Sequence, residues 1–156
     1  MAKKKKSKQI PLIISAAVLA CVAIVAVVVG GESGNTKNTN LGTVIGEGEC
    51  LEIHTAEVGE TASFYPIEVD GTIMEVLAIR DSEGKIRTAF NTCESCYGSG
   101  KGYYVASGNM LVCQNCGFRF TADQVEVEEN GGCNPYPIFE DSKVVTDDLI
   151  RIPYEF

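Results

Sequence analysis

Five cysteines in the second half of the chain carry the chemistry that this sequence offers. Cys93 and Cys96 form one Cys-x-x-Cys pair, sixteen residues lead to a second pair at Cys113 and Cys116, and sixteen more lead to Cys133 in "GGCNP". A Cys-x-x-Cys segment bends so that both sulfurs aim at one centre, and a glycine close behind relieves crowding where backbone N–H groups turn towards sulfur. "CQNCG" supplies that glycine at once, as Gly117, and "CESCYG" one place later, as Gly98. Two pairs at this separation match the four-thiolate pattern of zinc ribbons. Thiolates also hold iron–sulfur clusters, so ligand type alone leaves both open, and cysteines outside the cell have disulfides as a third alternative. The expected ligands are Cys93, Cys96, Cys113 and Cys116, with Cys133 as a fifth ligand or close neighbour.

Other cofactor chemistries fit less well. Neither pair is followed by histidine, which removes covalent c-type haem attachment, and no βαβ pattern surrounds either pair as a thioredoxin-like redox site requires. Two looped pairs are also arranged as in Rieske [2Fe–2S] proteins, except that cysteine stands where those have a histidine in each loop, a change that lowers the reduction potential of a bound cluster. The only histidine, His54 in "CLEIHTAEVGE", is far from the pairs in sequence and reads as structural. Cys50 has no Cys-x-x-Cys mate, and its role stays open among a free thiol, a partner for Cys133 and a further ligand. No nucleophile–base pair, phosphate-binding loop or carboxylate dyad is present. The chain therefore reads as a carrier or metal-binding protein more than as an enzyme.

The elements that must position these thiols are short strands. "ASFYPIEV" and "TIMEVLAI" are rich in β-branched and aromatic residues, and Asp70-Gly71 between them is a strong hairpin signal. "DSEGK" turns the chain into "IRTAFN", which delivers it to Cys93. "GYYVAS", "GN" and "MLVC" make another hairpin and deliver it to Cys113. "TADQV" reads as one helical turn, and "KVVT" and "LIRIP" as closing strands. "NGGCNPYP" reads as a rigid loop laid over the site. Tyr97, Tyr103, Tyr104, Phe118 and Phe120 flank the pairs and read as core packing rather than as a shield over a cluster. The fold class is mostly β: one N-terminal transmembrane helix, then a small β domain with two knuckles in a zinc-ribbon or Rieske-like arrangement.

The N-terminus differs in kind. A basic flank over residues 1–9 precedes twenty uncharged residues, 10–29, long enough as a helix to cross about 30 Å of hydrocarbon. An uncleaved anchor is the preferred reading. A lipoprotein signal ending at "VLAC", with Cys21 lipidated, and a cleaved signal peptide are the alternatives, but the apolar run continues well past Cys21. Lysines before the span keep that end in the cytoplasm and place the rest outside, in a single-pass cell-membrane protein. Residues 30–49, rich in Gly, Asn and Thr, read as a flexible tether, and 50–156 as the extracytoplasmic metal-binding domain. Five of the 13 basic residues precede residue 31, leaving eight against 21 acidic ones, a formal charge of −13. Such a surface repels nucleic acid. It suits cationic partners or metal ions, although ordinary solvated surface charge is the simpler account.

The run from Ile86 to Ile138, "IRTAFNTCESCYGSGKGYYVASGNMLVCQNCGFRFTADQVEVEENGGCNPYPI", resembles the membrane iron–sulfur containing proteins called FtrD-like. These share an Ala-Phe-x-x-Cys-x-x-Cys-Tyr start, a Lys-Gly-Tyr step, a Val-Cys-x-Asn-Cys-Gly-x-x-Phe knuckle and a Gly-Gly-Cys-Asn-Pro ending. The resemblance extends upstream to Phe64. It implies electron transfer at the membrane in bacterial iron uptake, alongside a permease and periplasmic or surface iron-binding and redox proteins. It implies that Cys93, Cys96, Cys113, Cys116 and Cys133 correspond to the family's cysteines. A structural zinc domain that mediates interactions, and a metal-capture protein that hands iron or copper to a transporter, remain as alternatives.

Overall fold

The computed structural model describes residues 38–39, 42–127 and 132–155. Three sheets account for nearly all the regular structure. The largest has the order β1 (Asn38–Thr39), β2 (Gly42–Val44), β4 (Ser63–Val69), β5 (Thr72–Arg80), β6 (Ile86–Cys93) and β10 (Pro135–Pro137). A second is β11 (Val144–Val145), β12 (Leu149–Pro153) and β3 (Cys50–His54), and a third is β7 (Tyr104–Ser107), β8 (Met110–Cys113) and β9 (Arg119–Thr121). Pairing is antiparallel throughout except between β2 and β4.

The centre of the domain can be read from β5. Its residues Val76, Leu77, Ala78 and Ile79 are all buried, whereas a strand wet on one face would alternate. Leu77 and Ile79 point into a core shared with Ala89, Cys93, Cys96, Tyr104, Leu111, Cys113 and Phe120. Val76 and Ala78 point the other way, into an aliphatic core with Ile53, Ile67, Ile150 and Ile152. The large sheet is thus the middle layer. The β7–β9 sheet covers one face and the β3–β12–β11 sheet the other. Each fully buried isoleucine contributes roughly 1.5–3 kcal/mol by leaving water.

The turns follow their residues. Asp70 (φ 50°) and Gly71 (φ 74°) both take positive φ between β4 and β5, as a two-residue hairpin of this twist requires. In "DSEGK" the Asp81 carboxylate accepts the N–H groups of Glu83 and Lys85 and the Arg87 guanidinium, fixing the β5–β6 turn. "TADQV" is a 3-10 turn, Ala122–Gln124, closed by Thr121 and Gln124 as a capping box. The side chain of Asp123 in that turn accepts the N–H and O–H of Ser82, so the cysteine-bearing sheet is tied to the β5–β6 turn.

Three expectations change. Part of the stretch read as tether is folded: β2 pairs with β4, and Ile45 is buried in the aliphatic core, because its side chain finds an apolar slot that Gly- and Asn-rich composition did not advertise. "NPYP" is not only a loop, since Pro135–Pro137 forms an edge strand on β6, where a missing N–H is tolerated. The flanking aromatics divide: Tyr104 and Phe120 are buried, while Tyr97, Tyr103 and Phe118 are exposed. Among the described residues no helix is long and apolar enough to cross a membrane, and the span read at 10–29 lies outside them.

One polar device joins the three layers. The Lys143 ammonium, almost fully buried, bonds the Glu126 carboxylate at 2.5 Å and the Thr88 hydroxyl at 2.7 Å, and Thr88 N–H donates to the same carboxylate at 2.9 Å. Glu126 follows the cysteine-bearing sheet, Thr88 lies on β6, and Lys143 precedes β11. Every member is bonded, which offsets the desolvation of two buried charges.

Candidate metal centre

Both Cys-x-x-Cys segments begin at strand ends. β6 finishes on Cys93, whose N–H donates to Gly102 O at 2.7 Å, and β8 finishes on Cys113, whose N–H donates to Phe118 O at 2.9 Å. Each chain then curls round its own first sulfur. The Cys93 sulfur accepts the Cys96 N–H, the Cys113 sulfur accepts those of Asn115 and Cys116, and the Cys116 sulfur accepts that of Phe118. Gly117, at φ 73°, makes the second curl possible, as its place in the motif suggested. Gly98 is not its counterpart in the first knuckle, where it sits in ordinary 3-10 backbone. The close contact there falls at Gly102, where a Cβ would stand 2.4 Å from the Cys96 carbonyl.

The third segment is brought in by β10. Pro135 pairs with Cys93, and Glu94 N–H donates to Asn134 O at 3.2 Å, so Cys133 arrives beside the first knuckle. All five expected ligands then converge, and all five are free thiols. The sulfurs of Cys93, Cys96 and Cys133 lie within 4.8 Å of one another, as do those of Cys96, Cys113 and Cys116. The Cys116 and Cys133 sulfurs are 3.8 Å apart, and those of Cys93 and Cys113 are in contact. Cys96 is therefore the hub that neighbours the other four, which form a ring around it. Cys93, Cys96 and Cys113 are buried, Cys133 is half-buried, and Cys116 is exposed. Cys50 is elsewhere, at the start of β3, and is not one of these free thiols; His54 is exposed at the other end of that strand.

Five thiols this close cannot all ionise without a cation. Burial pushes the Cys93 thiol up, but bonds from the Tyr104 hydroxyl, the Cys96 thiol and the Cys96 N–H outweigh it and hold the group below the usual range. The Phe118 N–H likewise lowers Cys116. Cys96, although Asn115 donates to it, is pushed up to about 12 by burial and by its neighbours Cys93 and Cys116. Burial raises Cys113 and Cys133, and the adjacent thiols add to it. Two of the thiols are thus shifted towards ionisation, Cys93 and Cys116, and three away from it. A bound cation releases the thiol protons, so affinity must rise with pH.

The donor set is all thiolate, within reach of backbone N–H groups and walled by Leu111, Tyr104 and Phe120. This is the chemistry that soft metal ions and iron–sulfur clusters require. Two supporting residues carried no motif. Asn91, buried two places before Cys93, accepts the Tyr104 N–H at 2.7 Å and donates to Tyr104 O at 3.1 Å, and Asn115 bonds the Cys96 sulfur. The signal for Asn91 was a polar residue at a buried register position of β6, visible only once the register was known.

No curated protein and no solved structure matches the chain. The model of one family, membrane iron-sulfur containing protein FtrD-like, matches residues 58–156, which include all five clustered cysteines and the strands that place them. The chain belongs to the FtrD-like family of membrane iron–sulfur containing proteins.

Proposed function

We propose that this protein is a single-pass, membrane-anchored electron carrier whose extracytoplasmic domain holds an iron–sulfur centre, serving iron uptake beside a permease and periplasmic or surface redox proteins. The observation that supports this reading most is the convergence of five thiols, with no other donors among the described residues, at a point where Cys93, Cys96 and Cys113 are buried, Cys133 is half-buried and Cys116 is exposed. Cys93, Cys96, Cys113 and Cys116 would hold the centre, with Cys133 as a fifth ligand or neighbour. The bound group supplies reversible one-electron chemistry. The chain's own residues keep its buried side dry, direct N–H groups at the ligand sulfurs and leave Cys116 at the surface, where an electron has the shortest path out. No substrate bond is made or broken in this role.

A second reading rests on a distance. A tetrahedral ion with metal–sulfur bonds near 2.3 Å sets its sulfurs ~3.8 Å apart, and Cys116 and Cys133 stand at 3.8 Å. This spacing fits a single tetrahedral ion, such as a structural zinc, on Cys96 and three of its neighbours. Purifying the full chain without oxygen and measuring visible absorption, iron, acid-labile sulfide and zinc separates the two. Broad visible absorption with iron and sulfide supports the electron carrier. A colourless protein with one zinc overturns it.

A further inference from the structure

Tyr104 meets all three segments that supply the thiols. Its backbone is clamped on both sides by Asn91, two residues before Cys93. It lies directly opposite Cys113 in the β7–β8 register. Its ring, fully buried, stands edge-on to Phe120 with centroids 5.7 Å apart at 83°. Its hydroxyl donates to the main-chain oxygen of Cys133 and is also within hydrogen-bond reach of the Cys93 sulfur. Packing alone would be satisfied by phenylalanine here. The hydroxyl has been aimed at the centre from a rigid base.

One O–H has one proton and here has two acceptors. The Cys133 carbonyl keeps a fixed partial charge, whereas the charge on the Cys93 sulfur grows when an electron enters a group bound to it. Charge-assisted hydrogen bonds are roughly twice as strong as neutral ones, so the proton follows the charge. We infer that Tyr104 is a positioning residue of the metal centre, whose hydroxyl donates to the Cys93 sulfur in the reduced state and thereby raises the reduction potential. The inference rests on the electron-carrier reading. No bond other than this hydrogen bond changes, and the electron comes from the carrier's redox partner.

The test compares the full-length wild type with Tyr104→Phe and with a variant carrying a fluorinated tyrosine at position 104, a stronger donor of similar shape. Redox titration should show the equilibrium for reduction about tenfold less favourable in Tyr104→Phe, about 59 mV lower for a one-electron couple. The fluorinated variant should shift the other way. Equal potentials in all three proteins overturn the inference, as does a Tyr104→Phe protein that loses its metal, because the hydroxyl would then serve only to hold the Cys133 loop. If the wild type shows no reversible couple, the electron-carrier reading fails, and cobalt-loaded protein tests the hydrogen bond separately. The sulfur-to-cobalt absorption should move to lower energy in Tyr104→Phe, since an unbonded thiolate gives up charge more easily. An unmoved band overturns the bond itself.

Discussion

The two faces of the central sheet are built on different terms. On one, Ile45, Ile53, Ile67, Val76, Ile150 and Ile152 pack without a polar atom among their side chains. On the other, the buried residues include Cys93, Cys96 and Cys113, with the hydroxyl of Tyr104 among them. The aliphatic face gains its stability from area removed from water and needs nothing further. The cysteine face has small strands, two knuckles and five crowded thiols that cannot all ionise unaided, so a cation bound there would add to its order. A sheet shared between them would let one face stay folded while the other gained or lost an ion.

The largest expected effect separates the faces most cleanly. Stripping the metal with a chelator removes a term on the order of 10 kcal/mol where thiolates close a structural site. Amide hydrogen exchange should accelerate across β7–β9 while β3 and β12 stay protected; uniform acceleration would mean the faces are not separable. Next is the buried pair that bridges the layers. Glu126→Ala leaves the Lys143 ammonium buried without its carboxylate and should cost about 3–5 kcal/mol in chemical denaturation, with loosening on both faces. The double change Lys143→Met with Glu126→Leu should recover most of that loss.

A smaller effect is confined to the aliphatic face. Ile150→Val should cost about 0.5–1.5 kcal/mol, the same with and without metal, and a metal-dependent difference would show that the two cores communicate. The smallest is a titration. Burial alone would raise the Asp81 carboxyl, but bonds from Arg87, Lys85 and Glu83 hold it below the usual aspartate range. A lowered folded-state value contributes stability above the ordinary aspartate value and loses it as pH falls through the depressed one. Asp81→Asn should therefore flatten the acid limb of a stability–pH curve and leave neutral pH to show only the lost Arg87 bond.

The sequence made the motif-bearing side of the molecule legible and left the scaffold less so. Cys-x-x-Cys geometry is local, so the pairing of cysteines within each knuckle, the strands feeding them and the Gly117 turn could be inferred from spacing. The Asp70-Gly71 and Gly108-Asn109 hairpins were equally plain, because positive φ restricts which residues can stand there. What escaped were relations between distant segments. Nothing in "NPYP" announces β6 as a partner far upstream, and nothing in "TVIG" announces that Ile45 joins the core that holds Ile67. The division of the aromatics depended on which face of a three-residue strand met the core, and β9 is too short to show a period. Tyr104 was visible as an aromatic, but its backbone is held by Asn91, and such a clamp has no sequence signature.

β10 has a further consequence at the rim of the large sheet. It is one of the sheet's two terminal strands, and two of its three residues are proline. A terminal strand with free N–H groups is a template on which another chain can add itself. With Pro135 and Pro137 that edge lacks two of the donors a newcomer would need. The same segment that carries Cys133 to the thiol cluster thus makes this edge of the sheet a poor template for a neighbouring chain.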